Sequence, residues 1–87
     1  MAYNIVFEEP AAKQLKKLPK NIAERILGYL EEVAKLANPK QRGEPLAANY
    51  AGYWRYRIGD YRVVCKIEND ILLIKVIKVG HRKDVYE

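Results

Sequence analysis

Three arginines, Arg55, Arg57 and Arg62, lie close together in an alternating stretch of the chain. They are fixed cations whose forked donors suit carboxylate or phosphate oxygens. His81 is the only histidine. Its ordinary pKa lies near neutrality, which makes it the first candidate for moving a proton. Cys65 is the only cysteine. Set between Val64 and Lys66 in a strand pattern, it reads as small core filler rather than a nucleophile. A lone cysteine allows no internal disulfide, which fits a reducing cytoplasm. One cysteine and one histidine make no zinc constellation. The chemistry these types allow is anion binding joined to proton transfer.

The chain has 87 residues and a formal charge of +5. That length corresponds to a single domain spanning 1–87, which buries only ~60–65% of its unfolded surface. Hydrophobic residues make up 49%, enough to exclude a disordered chain. The longest apolar run, Ile71 to Ile74, is strand-sized, far short of the ~20 residues that span a bilayer. No basic segment followed by an apolar run opens the chain, so no signal peptide is expected and no membrane partner either. A small basic domain points to an anionic partner, nucleic acid or acidic protein. Net charge alone does not decide this, because basic and acidic residues are spread over both halves.

Several elements must position these groups. Tyr3 to Phe7 alternates as a short strand. Glu8-Glu9-Pro10 starts a helix, with acids at its positive end and proline in its first turn. Pro19 ends it. Asn21, with Glu24 three residues on, is expected to cap a second helix. Ile22, Ile26, Leu30, Val33 and Ala37 form its apolar stripe, and Asn38-Pro39 stops it. Residues 38–52 read as a connecting loop. From Tyr53 the period changes to two. Gly59-Asp60 marks a type II′ turn and Asn69-Asp70 a type I′ turn. The expected strands are 53–58, 61–68 and 71–78. The fold class is α+β: two N-terminal antiparallel helices on one face of a mostly antiparallel four-stranded sheet.

Two-residue turns fix register. Around Gly59-Asp60, Ile58 opposes Tyr61, Tyr56 opposes Val63 and Trp54 opposes Cys65. The other face pairs Arg57 with Arg62, Arg55 with Val64 and Tyr53 with Lys66. Around Asn69-Asp70, Cys65 is expected opposite Ile74, Val63 opposite Val76, Lys66 opposite Leu73, Val64 opposite Lys75 and Arg62 opposite Ile77. Both turns select the same core face. It carries Trp54, Tyr56, Val63, Cys65, Ile67, Leu72, Ile74 and Val76. The opposite face holds Tyr53, Arg55, Arg57, Arg62, Lys66 and Lys75 among Val64, Leu73 and Ile77. A solvated basic face is the plain reading. Against it, Arg57 opposite Arg62 sets like charges together, at a cost that a bound anion would remove. Leu73 and Ile77 also need cover. A phosphate-bearing ligand beside a protein partner accounts for both features.

Two stretches carry a resemblance. Gly52-Tyr53-Trp54-Arg55-Tyr56-Arg57-Ile58-Gly59-Asp60-Tyr61-Arg62-Val63-Val64 is one. Val76-Ile77-Lys78-Val79-Gly80-His81-Arg82-Lys83-Asp84-Val85-Tyr86 is the other. Together with the Gly43-Glu44-Pro45-Leu46 loop, they resemble the RelE/ParE toxin superfamily, and its RelE branch most. The likeness runs the length of the chain. It implies the toxin of a type II toxin–antitoxin pair, an endoribonuclease that enters the ribosomal A site and cuts mRNA there. The family's chemistry needs neither metal nor cofactor: the 2′-hydroxyl attacks the adjacent phosphorus.

Carried over by position, the resemblance implies five catalytic residues. Arg55 falls where the best-known member has a lysine. Arg62 and Arg82 fall on active-site arginines. Tyr86 falls on a catalytic or base-stacking tyrosine, and His81 in a region where related toxins place a functional histidine. Tyr53, Arg57 and Lys66, on the arginine face, are expected to bind RNA. Tyr53 stands where the reference member has a second lysine, which leaves the general base open. Expected partners are a RelB-like antitoxin, the ribosome and mRNA. Complexes of this type often bind their own operator DNA, usually through the antitoxin. Two other readings share the fold: a ParE-like, non-enzymatic inhibitor of DNA gyrase, and a catalytically inactive antitoxin-binding module.

Overall fold

A computed structural model describes residues 2–85 of the chain. Strand β1 (Asn4–Phe7) leads into helix α1 (Glu9–Lys16) and helix α2 (Lys20–Ala34). Strands β2 (Glu44–Pro45), β3 (Trp54–Ile58), β4 (Tyr61–Glu68) and β5 (Leu73–His81) follow. The strands form one sheet in the order β1-β5-β4-β3-β2. The α+β class with two helices stands. The sheet differs from expectation in two ways. It has five strands, because Glu44–Pro45 inside the expected loop pairs antiparallel with β3. It is also mixed, because β1 runs parallel to β5, with Ile5 opposite Ile74 and Phe7 opposite Val76.

Helix α1 stops at Lys16, ahead of Pro19, and helix α2 differs at both ends. Proline stands in the first turn of α1, as expected. Helix α2 starts at Lys20, and Asn21 makes no capping bond. The Pro19 carbonyl instead accepts from the Ile22 and Ala23 amides. The helix stops at Ala34, short of Ala37. The Tyr3 amide takes the Ala34 carbonyl at 2.8 Å, which ties the helix end to β1. The core between helices and sheet holds Ala11, Ile26, Leu30, Val33, Tyr56, Val63, Cys65, Ile74, Val76 and Val79. Burial of this apolar surface is the main drive for folding. Trp54 sits at the rim of the core rather than inside it. Its indole N–H donates to the Arg42 carbonyl at 2.7 Å, and the Lys40 ammonium lies 5.3 Å from its ring.

The first hairpin has the expected register in full, from Trp54↔Cys65 to Ile58↔Tyr61. Gly59 takes a positive φ of 59° there, as the first position of a II′ turn requires. The second hairpin does not. Residues Asn69–Ile71 form a 3-10 turn, and Leu72 adopts the left-handed conformation. Tyr3 claims the Asn69 side chain through a 2.8 Å hydrogen bond, and the Leu72 carbonyl accepts from the Asn4 amide. The loop is therefore two residues longer. Glu68 opposes Leu73, Lys66 opposes Lys75 and Cys65 opposes Val76. A shift of two keeps every face.

A β-bulge then breaks the ladder between Val64 and Cys65. Beyond it Val64 opposes Lys78, Val63 opposes Val79, Arg62 opposes Gly80 and Tyr61 opposes His81. The expected Val64–Lys75 and Arg62–Ile77 pairings are replaced. A bulge sets two residues, here Ile77 and Lys78, against one. It lies beyond the last β1 pairing, at Val76, so β5 has no strand neighbour on that side. Gln14 of α1 supplies the missing acceptor, its Oε1 taking the Val79 N–H at 2.7 Å.

Candidate functional site

The face away from the helices is a series of rungs. One carries Glu44, Arg55, Val64 and Lys78, and the next carries Arg57, Arg62 and Gly80. Strand alternation and the hairpin register place the three arginines here, as the sequence implied. Two of them are buried: Arg55 is 5% exposed and Arg62 7%. Buried guanidinium groups need partners, and these have specific ones.

Glu44 is the central acid of this face. Its Oε1 lies 2.9 Å from Arg55 Nη2 and 2.9 Å from Arg57 Nε. The hydrogen bond from Arg55 holds the Glu44 carboxyl below its ordinary range, so it is ionised at neutral pH. Glu44 gets there through Gly43, which has a φ of +80°. This position is crowded as well as left-handed, which favours glycine.

The like-charge problem at Arg57 and Arg62 is thus solved internally. Arg57 turns to Glu44. Arg62 turns the other way, its Nη1 donating to the carbonyls of Gly59 and Tyr61 at 3.0 Å each. The hairpin turn therefore holds the Arg62 guanidinium against main chain. In the sequence Glu44 stands inside a loop motif, with nothing around it that signals a role. Its spacing to the arginines is invisible without the β2 pairing.

The tail closes over this end of the sheet. The Arg82 amide donates to the Asp60 carbonyl at 2.8 Å, and the His81 carbonyl accepts from the Asp84 and Val85 amides. Val85 is buried with Leu46 and Val64, flanked by Tyr50, Tyr53 and Ile77. This second cluster is the cover that Ile77 was expected to need. Val85 also packs above Gly80, where an added Cβ would lie 3.0 Å from its Cγ2. Arg82 is exposed, clipped beside the Gly59-Asp60 turn by its main chain.

The remaining expected residues are placed as follows. Tyr53 is half-buried and edge-on to Tyr50, with centroids 6.1 Å apart. Lys66 is exposed on the rung with Lys75. His81 shares a rung with Tyr61, and its ring meets the Tyr61 ring edge-on at 5.4 Å. Tyr61 packs against the main core, so the bulge puts His81 on the helix-side face, at the end of the sheet and across from the arginines. Its Nδ1 accepts from the Lys83 amide at 3.2 Å, which leaves Nε2 as the protonated position of the neutral ring. Tyr86 lies outside the described residues. Cys65 is buried, and burial pushes its thiol well above its ordinary pKa, so it is core filler, as read. No helix among the described residues is long and apolar enough to cross a membrane.

Comparison with known proteins places this architecture. Residues 5–86 match the family described as the ParE toxin of the type II toxin–antitoxin system parDE. Toxin RelE of Mycobacterium tuberculosis is 33% identical over 88 residues, covering 97% of this chain and 86% of that protein. Toxin RelG of the same organism is 29% identical, covering 99% of this chain and 98% of that protein. Among solved structures, the toxin–antitoxin complex RelBE2 of M. tuberculosis contains a chain that superposes with a TM-score of 0.86 at 27% identity. The match covers 97% of this chain and 95% of that one. Family match, relatives and fold agree: the chain belongs to the RelE/ParE superfamily of type II toxin–antitoxin toxins and is of its RelE type.

Proposed function

We propose that this toxin is a ribosome-dependent endoribonuclease that cuts mRNA in the A site without a metal or cofactor. The observation that carries the reading is the pair of buried guanidinium groups, Arg55 and Arg62, on one rigid sheet face. Arginines fixed by a sheet stabilise charge as it builds on non-bridging phosphate oxygens, at no cost of reorganisation. In the proposed reaction the 2′-oxygen bonds to phosphorus while the phosphorus–5′-oxygen bond breaks. The products are a 2′,3′-cyclic phosphate and a free 5′-hydroxyl.

Arg62 and Arg82 hold the scissile phosphate, one from the turn carbonyls and one from the clipped tail. Arg55 neutralises the same charge, with Glu44 as its tether. Glu44 suits that role better than proton transfer, since a lowered pKa makes a weak base. The proton from the 2′-hydroxyl and the proton for the 5′-oxygen fall to Tyr86 and to solvent, because His81 sits on the helix-side face, across from the arginines. Help from a positioned side chain is worth ~10²–10⁴-fold. Tyr86 and Tyr53 offer rings for base stacking. Arg57 and Lys66 meet neighbouring phosphates. The partner that restrains the toxin is a RelB-like antitoxin, as in the complexes of its relatives, seated on the arginine face with its apolar cluster. Their complex is expected to bind operator DNA.

The test is to express the wild type, Arg62→Ala and Arg82→Ala and to map mRNA 5′ ends. In-frame A-site cuts lost in both variants support the reading. Equal growth arrest without such cuts defeats it. A second reading, inhibition of DNA gyrase, is favoured by one finding: the family match is to ParE toxins. Cleaved gyrase–DNA complexes accumulating over intact mRNA would establish it.

A further inference from the structure

The β5 bulge moves a lysine that had no assigned role. In unbroken alternation from Val76, Lys78 would face the core. With Ile77 and Lys78 both set against Val64, Lys78 joins the outer face, on the rung of Glu44 and Arg55. Bulges often sit beside sites where they re-aim a side chain. Lys78 is half-buried, and among the described residues it enters no ion pair or side-chain hydrogen bond. Its neighbours on this face are otherwise engaged. Glu44 is held by Arg55 and Arg57, and Lys75 lies 3.8 Å from Glu8.

Lys78 lies diagonal to Arg62 across β4 and β5, and such neighbours stand ~7–8 Å apart. Arg62 is fixed toward the hairpin turn, away from Lys78. The intervening Gly80 adds no side chain. Two cations held apart on one face, one fork and one point charge, fit successive phosphates better than a single one. We propose that Lys78 binds the backbone phosphate next to the scissile one and so sets the register of the RNA strand. This inference rests on the endoribonuclease reading above.

The experiment is single-turnover cleavage on programmed ribosomes, with wild type, Lys78→Met and Lys78→Arg. The mRNAs carry an ordinary backbone or a neutral methylphosphonate at either phosphate flanking the cut. With ordinary mRNA, Lys78→Met should raise the half-saturating toxin concentration about five- to tenfold, as for one charge-assisted contact. Lys78→Arg should recover most of it. At one of the two methylphosphonate positions, wild type and Lys78→Met should become equal, which a merely structural defect would not produce. Unchanged cleavage by Lys78→Met, or a defect of equal size on all three mRNAs, overturns this inference while the endoribonuclease reading stands. Failure of the wild type to cut ordinary mRNA overturns both.

Discussion

A Cβ built on Gly43 would lie 2.5 Å from the carbonyl oxygen of Arg55. The same atom would meet the Trp54 indole nitrogen at 2.6 Å and Tyr56 Cδ1 at 2.8 Å. Two of these three neighbours are backbone or buried core, so neither can yield. Contact between bare backbones is what lets Glu44 pair with β3 and reach two arginines.

Gly43→Ala is therefore expected to be among the costly single substitutions. Left-handed strain alone costs ~1–2 kcal/mol for a non-glycine residue, and the clash adds to it. Each kcal/mol lowers the midpoint of a domain this size by ~4–8 °C. A thermal melt with an unchanged midpoint would show that the loop can move away without loss.

Glu44 should give the fold an acid limb. Its folded pKa is lowered from the ordinary 4.5, chiefly by the hydrogen bond from Arg55. The stabilisation is then fully present above 4.5 and lost as pH falls through the folded value. Urea midpoints taken from pH 6 to pH 3 should fall more steeply for wild type than for Glu44→Gln. Parallel curves would show that the arginine pair contributes no linkage.

Cys65 and Tyr56 should act at the other end of the pH scale. Burial raises both pKa values in the fold. The unfolded chain therefore loses these protons first, and stability present below pH ~9 declines as pH rises. Native protein should react with a disulfide reagent only at its unfolding rate. Rapid labelling at pH 8 would show that the thiol is accessible.

Gln14 holds the bulge from the helix layer. Gln14→Leu would leave the Val79 N–H without its acceptor, at ~1–3 kcal/mol. Amide exchange at Val79 should accelerate well beyond that at Val63, and cleavage should weaken if the bulge relaxes. Unaltered exchange at Val79 would mean that another acceptor replaces the glutamine.

The first hairpin was readable residue by residue, because Gly59-Asp60 admits one turn geometry and the alternation around it is clean. The arginine face followed from that register alone. What escaped was set by contacts between distant segments. Asn69 looks like a turn residue, but Tyr3 takes its side chain from 66 positions away. The parallel pairing of β1 depends on helix α2 ending where the Tyr3 amide meets the Ala34 carbonyl. Strand β2 is two residues long, too short to show a period. With β2 unseen, Glu44 could not be placed against Arg55. The bulge leaves a trace in Ile77-Lys78, where an apolar and a charged residue share a face. That trace cannot be told from ordinary variation on a half-exposed surface.

The bulge also makes β5 sensitive to length in an uneven way. Removing Ile77 would leave one residue opposite Val64 and keep Val76, Lys78, Val79 and Gly80 on the faces they now occupy. Removing Val79 instead would restore strict alternation with Lys78 turned into the core. A one-residue deletion is thus tolerable at one point of the strand and ruinous two positions later. Within this family, chain length around the tail should vary at the joint between Val76 and Lys78 and hold constant on either side of it.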